Sequence, residues 1–594
     1  MTLRSFFLIS GLTSIAGLWP VAAQERPNVV LVITDDQGYG DISAHGNPVL
    51  KTPALDELHG ESIRLTDYHV SPTCSPTRGA LMSGHFTNRA GPWHTIMGRS
   101  LLFRGEATLG EVFANSGYRT GMFGKWHLGD NYPYRPEDRG FHEVVRHGGG
   151  GVGQTPDYWN NAYFDDTYFH NGKPKKFEGY CTDVYFDSAK RFIEDSVARE
   201  EPFFAYISTN APHSPFHVAD RYWKPYLKQG LSEREAIFFG MVANIDENVG
   251  AIREWLAARD LQENTLFIFT TDNGTANGEK VWNAGMRGKK GSEYDGGHRV
   301  PFFLHWPKAG LTNGRDIAQL SAHVDVLPTL IDLCGLQAPV DYFFDGRSLA
   351  PLIFQLPTAW PDRFLVTDSQ RVQDPIKWRK SSVMTQRWRL INGKELYDMA
   401  NDPGQEKDIA SERPEMVRNL RGNYEKWWRS LEPSFSKFAE LVLGNPAENP
   451  AVLTSHDWLS GNRGVAWNQS SVRGGKIGNG YPGKWAVEVE TAGTYQFSLR
   501  RWPLESNAGL DDALPPGEPV PGLTAFRETP GKALKFKGAF LKVGDQSDEK
   551  PVSSGQEGVD FSMELPPGKT YIEAYFTTAE GEKMGVYYIL VEKV

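Results

Sequence analysis

A cysteine, a proline and an arginine are spaced so that one helical turn could bind an anion. The segment Cys74-Ser-Pro-Thr-Arg78 precedes a run of small and apolar residues. Pro76 fits the first turn of a helix and Ser75 fits its N-cap, so we predict that a helix begins here. Cys74 would then lie at the helix N-terminus, where backbone amides favour an anion, with Arg78 beside it. An ordinary capped helix with a free thiol is the alternative interpretation.

Oxygen-donor side chains follow two apolar, β-branched runs at residues 28–34 and 265–271. These side chains are Asp35, Asp36, Asp272 and Asn273. Continuous apolar runs of this kind are typical of strands that are buried on both faces of a sheet. Carboxylate and amide oxygens are hard ligands, which suit Ca²⁺ or Mg²⁺ and not zinc. The sequence therefore predicts a site for Ca²⁺, with Mg²⁺ also compatible, and solvated strand-end carboxylates are the alternative.

Basic and imidazole side chains complete the groups that could do chemistry. They are Lys125, His127 and His213. The first two follow a weaker apolar run at 118–123, and the third follows a run at 203–208. Ligands of open α/β sheets bind at the carboxyl ends of the strands, so four polar strand ends predict one site. Its cations would stabilise charge that develops on an anionic substrate. A helix-capping or core imidazole is the alternative for His213.

The elements that must position these groups fall into three regions. Strands alternate with helical patterns through residues 24–360, which predicts an α/β domain with a mostly parallel sheet sandwiched by helices. Residues 361–445 change to a small antiparallel sheet followed by a helix, typical of an α+β subdomain. Residues 450–594 show alternating strands and no helical signal, which predicts a β-sandwich-like accessory domain. This last domain is expected either to bind glycans or to pack on the α/β domain as a lid.

Composition and charge narrow the class of protein. The chain has 594 residues and a formal net charge of −10, which argues against nucleic acid as a general partner. Its three cysteines exclude a disulfide scaffold. Residues 1–23 hold one arginine, a short apolar stretch and a small-residue cleavage site, which predicts a signal peptide and a periplasmic or secreted protein. An N-terminal membrane anchor is the alternative, and no later segment is long enough to span a bilayer.

In their order along the chain, these motifs resemble the formylglycine-dependent (type I) sulfatases of the alkaline-phosphatase-like superfamily. The resemblance covers residues from about 27 to 430 and leaves 450–594 outside it. It rests on the segments Thr34–Asp41, Cys74–Gly84, Gly124–Gly129, Asp272–Gly274, Arg287–Gly297 and Glu395–Pro403.

The resemblance implies a role for the cysteine and for the metal ligands. By resemblance, a maturation enzyme oxidises Cys74 to formylglycine (3-oxoalanine), whose aldehyde hydrates to a gem-diol. One oxygen of a gem-diol can attack sulfur, and the other can then expel sulfate as the aldehyde reforms. A bare thiol would instead leave a stable thiosulfate ester. The resemblance also implies that Ca²⁺ is held by the modified residue 74 together with Asp35, Asp36, Asp272 and Asn273.

The resemblance also implies roles for the basic and imidazole residues. Arg78 and Lys125 are expected to hold the formylglycine and the sulfate. His127 resembles the residue that takes a proton while the covalent intermediate collapses. His213 and Lys290 resemble the pair that binds sulfate and protonates the leaving alcohol. Lys289, beside Lys290, departs from the family pattern, and the Lys-Gly-Ser spacing favours Lys290.

These features together predict an exported sulfuric ester hydrolase that acts on a sulfated carbohydrate. Export, aromatic-rich loops and the additional β domain favour a carbohydrate, and His94 is predicted to contact it from a loop that faces the site. Two alternatives remain at this point. One is a phosphonate or phosphodiester hydrolase of the same superfamily, and the other is a sulfated-glycan-binding protein that has lost catalysis. The sequence leaves the sugar, the sulfated carbon and the oligomeric state open.

Overall fold

The computed structural model describes residues 26–357, 359–461, 463–475, 482–522 and 529–594. The signal peptide predicted at residues 1–23 lies outside these ranges. Within them, no helix has both the length and the apolar character that a bilayer crossing requires.

A ten-stranded sheet forms the centre of the first unit. The strands of this unit are β1 (Asn28–Thr34), β2 (Ile63–Leu65), β3 (Tyr68–His69), β4 (Arg119–Gly124), β5 (Glu143–Arg146), β6 (Thr167–His170), β7 (Lys173–Lys176), β8 (Phe203–Ser208), β9 (Thr265–Thr271), β10 (Phe302–His305), β11 (Asp316–Ile317) and β12 (Ser321–Ala322). The sheet order is β11-β2-β10-β9-β1-β8-β4-β5-β6-β7, and β3 pairs with β12. Strands β9, β1, β8, β4 and β5 are parallel, with antiparallel β10 and β6 on either side. The predicted mostly parallel sheet is confirmed.

Helices cover both faces of this sheet. They are α1 (Pro53–Glu61), α2 (Cys74–Ser83), α3 (Thr87–Ala90), α4 (Leu109–Asn115), α5 (Cys181–Ala198), α6 (Asp220–Leu227), α7 (Glu233–Ala257), α8 (Asp295–His298), α9 (Val326–Cys334) and α10 (Ala350–Ile353). Val30 and Val32 of β1 pack with residues of α5 and α7, whereas Val29 and Leu31 pack with residues of α4 and α9. Because both faces of β1 are buried, its sequence is a continuous apolar run and not an alternating one.

A small antiparallel sheet follows, with strands β13 (Leu365–Asp368), β14 (Ser381–Met384), β15 (Trp388–Ile391) and β16 (Glu395–Asp398). Helix α11 (Pro414–Phe435) packs on it. Its apolar face places Leu420 and Trp427 against Val383 and Leu390 of the sheet. The sheet precedes the helix in the chain, and the helix ends at Phe435.

Two further sheets form a β-sandwich. Its strands are β17 (Leu441–Leu443), β18 (Ala451–Thr454), β19 (Lys484–Val489), β20 (Gly493–Arg500), β21 (Phe536–Val543), β22 (Gln546–Pro551), β23 (Val559–Leu565), β24 (Gly568–Thr578), β25 (Lys583–Gly585) and β26 (Tyr588–Lys593), with helix α12 (Gln469–Gly474) between β18 and β19. β17 lies parallel to β19, so the first of these sheets begins before residue 450. Trp485 and Phe497 share one core with Met97 and Trp159 of the α/β unit. The sandwich is therefore packed on that unit through apolar contacts.

Candidate active site

Four neighbouring parallel strands bring the predicted residues to one edge of the sheet. Strands β9, β1, β8 and β4 are adjacent, and each is followed by one or more of these residues. Asp36, directly after β1, has a left-handed φ of 69° and donates its backbone N–H to Asp272 Oδ1 at 3.1 Å. Cys74 is the first residue of α2. The thiol of Cys74 and carboxylate oxygens of Asp35 and Asp272 all lie within 4.8 Å of one another.

The prediction that Ser75 caps this helix is wrong. The N-cap is Thr73, two residues earlier than predicted, so helix α2 begins at Cys74, and no side chain caps it. The Ser75 hydroxyl instead donates to the carbonyls of Ser100 at 3.1 Å and His127 at 2.9 Å. Because Ser75 is fully buried, its hydroxyl is satisfied by tertiary carbonyls and not by the helix end.

The oxygen donors fit a hard divalent cation. Asp35 Oδ1 and Asn273 Oδ1 are buried and have no hydrogen-bond partner among the described residues. Buried acceptors of this kind are costly unless a donor or an ion satisfies them. Together with Asp36 and Asp272 they form a set of three carboxylates and one amide, which is the chemistry that Ca²⁺ and Mg²⁺ prefer.

Each carboxylate of this set pairs with one cation; Arg78 and Lys125 are fully buried, and Lys290 is partly buried. Lys125 Nζ lies 2.6 Å from Asp35 Oδ2, and Lys290 Nζ lies 2.5 Å from Asp36 Oδ1. Arg78 donates from Nε and Nη2 to Asp272 Oδ2, at 3.0 and 2.8 Å. These three acids and three bases have a formal charge of zero. A divalent cation would make the group positive by about two charges, which favours an anionic substrate.

Burial and pairing set the protonation states around Cys74. Burial raises the pKa of the Cys74 thiol. Burial also raises the pKa of Asp35, and the charge of Lys125 offsets this only in part. Although burial opposes it, the charge of Lys290 brings the pKa of Asp36 below its usual value. Burial acts to lower the pKa of Lys290, but Asp36 more than compensates and raises it. Lys290 is therefore a protonated, positively charged group at neutral pH.

His127 is held as a neutral base. Its Nε2 lies 2.8 Å from the carbonyl oxygen of Thr95, which can only accept, so Nε2 carries the proton. Its Nδ1 has no partner within the described ranges and keeps its lone pair. Burial, and then the charge of Lys125, lowers the pKa of His127 well below its usual value. A Cβ placed on Gly150 would lie 2.2 Å from His127 Cε1, so only glycine fits there.

His213 and Lys290 face the same carboxylate. His213 Nε2 lies 3.9 Å from Asp36 Oδ2, while its Nδ1 hydrogen-bonds to the carbonyl of Ser214. Burial and the charge of Lys290 lower the pKa of His213 to about 3, so the free imidazole is neutral with an open Nε2. Lys289 lies outside this cluster, with Nζ 2.5 Å from Glu279 Oε1. Of the two neighbouring lysines, only Lys290 reaches the acidic cluster.

His94 lies in the loop between α3 and α4, and it is buried. Its Nδ1 accepts from the backbone N–H of Thr95 at 2.6 Å, and the carbonyl of that same residue holds His127. His456, which sequence reasoning did not identify, lies with its ring centroid 6.1 Å from that of His127. It comes from the β-sandwich, more than 300 positions along the chain. No local motif marks it, because only the packing of the two units brings it there.

Comparisons with known proteins identify the family to which the chain belongs. The family model described as Sulfatase matches residues 27–336, and the one described as N-sulphoglucosamine sulphohydrolase, C-terminal, matches residues 288–426. The chain is 31% identical over 381 residues to N-acetylgalactosamine-6-sulfatase of Rattus norvegicus, covering 59% of this chain and 70% of that protein. It is 28% identical over 362 residues to arylsulfatase of Hemicentrotus pulcherrimus, covering 56% of this chain and spanning only 62% of that protein's length.

Solved structures share the fold of this chain. Ps i-CgsB in complex with k-i-k-neocarrahexaose matches with a TM-score of 0.63 at 26% identity, covering 70% of this chain and 95% of that one. The phosphonate monoester hydrolase of Agrobacterium radiobacter matches with a TM-score of 0.51 at 21% identity, covering 69% of this chain and 96% of that one, and this likeness shows the fold alone. Because the Sulfatase model spans more than half of the chain, this protein belongs to the sulfatase family, a family of sulfuric ester hydrolases.

Proposed function

We propose that this chain hydrolyses sulfate esters on a carbohydrate, with Cys74 converted to formylglycine and Ca²⁺ bound beside it. One observation carries the proposal: three acid–base pairs, two of them fully buried and one partly buried, surround the N-terminus of α2, where Cys74 lies. That arrangement can hold a divalent cation and a tetrahedral anion at the same place. We also propose that the protein is exported through the signal peptide predicted at its N-terminus, and that a maturation enzyme of its host modifies Cys74.

Conversion of Cys74 would solve a chemical difficulty. The thiolate is the nucleophilic form of cysteine, and burial raises the pKa of this thiol, so little thiolate exists at neutral pH. Attack by sulfur would also end in a stable thiosulfate ester. Formylglycine supplies a hydrated aldehyde in its place, whose second hydroxyl allows sulfate to leave without attack of water on sulfur.

The metal would be held by oxygen atoms of Asp35, Asp36, Asp272 and Asn273. When bound, a divalent cation polarises the sulfate ester and favours ionisation of a nearby hydroxyl. Arg78 and Lys125, which already lie against two of these carboxylates, would orient the sulfate oxygens. The fixed cations would thereby stabilise the charge that spreads over these oxygens in the transition state.

Proton transfer would use the two imidazoles at defined nitrogens. His127 would accept a proton at Nδ1, because Nε2 is already committed to the Thr95 carbonyl. His213 would bind the sulfate through Nε2 and pass a proton to the leaving alcohol, with Lys290 as its charged neighbour. The incoming sulfate brings negative charge to His213, and negative charge favours the protonated imidazole. His94 remains the proposed contact with the sugar.

A carbohydrate substrate is supported by the relatives. N-acetylgalactosamine-6-sulfatase is named for a sulfated amino sugar, and Ps i-CgsB was solved with a neocarrahexaose. The test is the release of inorganic sulfate from a panel of defined sulfated sugars, with 4-nitrophenyl phosphate and a phenylphosphonate monoester assayed beside them.

The control for this panel is Cys74→Ala, which keeps the fold and removes the residue to be modified. We expect sulfate release from at least one sugar sulfate, at a kcat/KM that exceeds that for the phosphorus esters, and none from the control. Faster turnover of the phosphonate would favour the phosphonate hydrolase instead. Binding of sulfated sugars without turnover by matured protein would favour a glycan-binding role.

A further inference from the structure

One loop touches both of the imidazoles to which the proposed function gives proton transfer. We call residues 148–159 the imidazole loop. A Cβ on Gly150 would lie 2.2 Å from His127 Cε1, and a Cβ on Gly151 would lie 3.4 Å from His213 Nδ1. The backbone of this loop therefore lies close to both rings, and closest to His127. A small displacement of the loop would move the two rings or give them room to rotate.

The imidazole loop is fixed from outside, by the β-sandwich. Gln469, the first residue of α12, donates its backbone N–H to the Gly153 carbonyl at 2.9 Å. Its side-chain Nε2 lies within hydrogen-bond distance of the carbonyls of Gln154 (3.2 Å), Asp157 (3.2 Å) and Tyr158 (3.1 Å). Its Oε1 accepts from the backbone N–H of Asn160 at 3.0 Å. One side chain thus connects three residues of the loop and the residue that follows it.

Neighbouring contacts hold the same segment. The backbone N–H of Thr155 donates to the Trp467 carbonyl at 3.0 Å, and Trp159 donates its backbone N–H to Glu505 Oε1 at 3.0 Å. Gln469 is only 1% exposed, so its amide cannot exchange these partners for water. A buried amide of this kind is costly to leave unpaired, which makes its hydrogen bonds a strong constraint on the loop.

A second residue of the β-sandwich lies near His127. The short turn Ser455–Asp457 carries His456, whose ring lies 6.1 Å from that of His127 at an interplanar angle of 60°. The carbonyl of His456 accepts from the backbone N–H of Met97 at 2.8 Å, two residues from the carbonyl that holds His127. His127 therefore lies close both to the imidazole loop and to a side chain of the β-sandwich.

We propose that the β-sandwich is part of the catalytic apparatus, with Gln469 as a positioning residue that aligns His127 and His213 through the imidazole loop. Gln469 touches neither ring, so it acts only through the loop. This inference rests on the proposed function, since it needs those rings to transfer protons. A misplacement of about 1 Å can cost about 10²-fold in rate, so a loosened loop should lower turnover strongly. A separate glycan-binding module would leave the chemical step unchanged when Gln469 is altered.

Two substitutions separate the contributions of the amide. Gln469→Met keeps the length of the side chain and removes all of its hydrogen bonds. Gln469→Glu keeps the oxygen that accepts from Asn160 but replaces the donor with a second acceptor, which would face three carbonyls. Gln469→Asn keeps donor and acceptor on a shorter chain and serves as the conservative variant. Gln496→Met is the matched control, because this exposed amide lies on β20 and donates to Ser562 Oγ at 3.1 Å.

The test uses the matured, full-length protein. The quantities measured are kcat and KM for a sugar sulfate and for 4-nitrophenyl sulfate, the thermal unfolding midpoint, and amide hydrogen exchange of residues 148–159. We expect Gln469→Met and Gln469→Glu to lower kcat for the sugar sulfate by about 10–100-fold, with KM changed less. The loss should be smaller on 4-nitrophenyl sulfate, whose leaving group needs little help from His213. Exchange of the loop should rise, while Gln496→Met stays at wild type.

The inference fails if folded Gln469→Met and Gln469→Glu keep the wild-type kcat on both substrates. It also fails if both substrates lose the same factor without faster exchange in the loop, since that pattern reports a smaller fraction of folded protein. If Gln469→Met does not fold, Gln469→Asn gives the same test with a smaller expected loss, and an unchanged kcat would overturn the inference. A wild-type protein that hydrolyses no sulfate ester would instead contradict the proposed function.

Discussion

Replacing His213 with alanine should slow sugar sulfates far more than aryl sulfates. A sugar alcohol leaves with a pKa far above neutral, so it needs a proton as its bond to sulfur breaks, whereas 4-nitrophenol needs little help. His213 Nε2 lies 3.9 Å from Asp36 Oδ2, within the cluster that would hold the sulfate. Its Nδ1 is tied to the Ser214 carbonyl, so Nε2 is the nitrogen that can deliver a proton.

The magnitude follows from the role of a general acid. Such catalysis contributes about 10²–10⁴-fold, which is about 3–5 kcal/mol of activation free energy. Burial and Lys290 lower the pKa of His213 to about 3 in the free protein. Protonating it at pH 7 therefore costs about 5 kcal/mol, which the bound sulfate must offset by its negative charge. We expect His213→Ala to lower kcat/KM for both substrates, and the loss for the sugar sulfate should be at least about 10² times the loss for 4-nitrophenyl sulfate.

The assay measures kcat/KM for both substrates with wild type, His213→Ala and a control, His170→Ala. His170 lies on β6, far along the sheet, and pairs with Glu143 at 2.6 Å. Some loss on both substrates is expected, because His213 also binds the sulfate. The ratio of the two losses is the result that matters. Equal losses would refute the acid role, leave His213 as a sulfate ligand and pass proton donation to Lys290.

Two further outcomes are expected. Asp36→Ala should lose bound Ca²⁺ by elemental analysis and lose sulfatase activity, because it removes one of four oxygen ligands and the partner of Lys290; wild-type turnover without bound metal would contradict the ligand assignment. His323→Asn should make the unfolding free energy less sensitive to acid. Burial lowers the pKa of His323 to about 3, below its unfolded value of about 6.5, so its contribution to stability is complete above pH 6.5 and is lost as the pH falls towards 3. Chemical unfolding at pH 7.5 and pH 5 should show wild type losing about 2 kcal/mol more than the variant, and equal losses would contradict the buried neutral imidazole.

The sequence predicted the sheet well because its central strands have an unusual pattern. Strands buried on both faces need continuous apolar runs, so β1 and β9 can be recognised from their composition alone. The polar residues of the site can then be recognised because they directly follow these strands. Adjacency of these strands then brings the residues together. The start of α2 was misjudged at Ser75, since a hydroxyl that can cap a helix can equally bond to distant carbonyls, and only the fold decides between them.

Sequence patterns did not predict the long-range contacts. His456 and Gln469 reach the site only through the packing of the β-sandwich, and neither lies in a motif. The predicted start of the sandwich was residue 450. In the structure β17 joins the first sheet of the sandwich as a short parallel edge strand, and no change in composition marks that strand in the sequence. The choice between Lys289 and Lys290 depended on spacing in the sequence, whereas in the structure their ion pairs with Glu279 and Asp36 separate them directly.

The most direct test of the account is the mass of the peptide that contains Cys74, taken from natively produced protein whose sulfatase activity has been measured. Conversion to formylglycine removes sulfur and two hydrogens and adds one oxygen, which makes the peptide about 18 Da lighter. We expect this lighter peptide, in a fraction that follows the specific activity of each preparation. Full sulfatase activity in protein that carries only unmodified Cys74 would contradict the account.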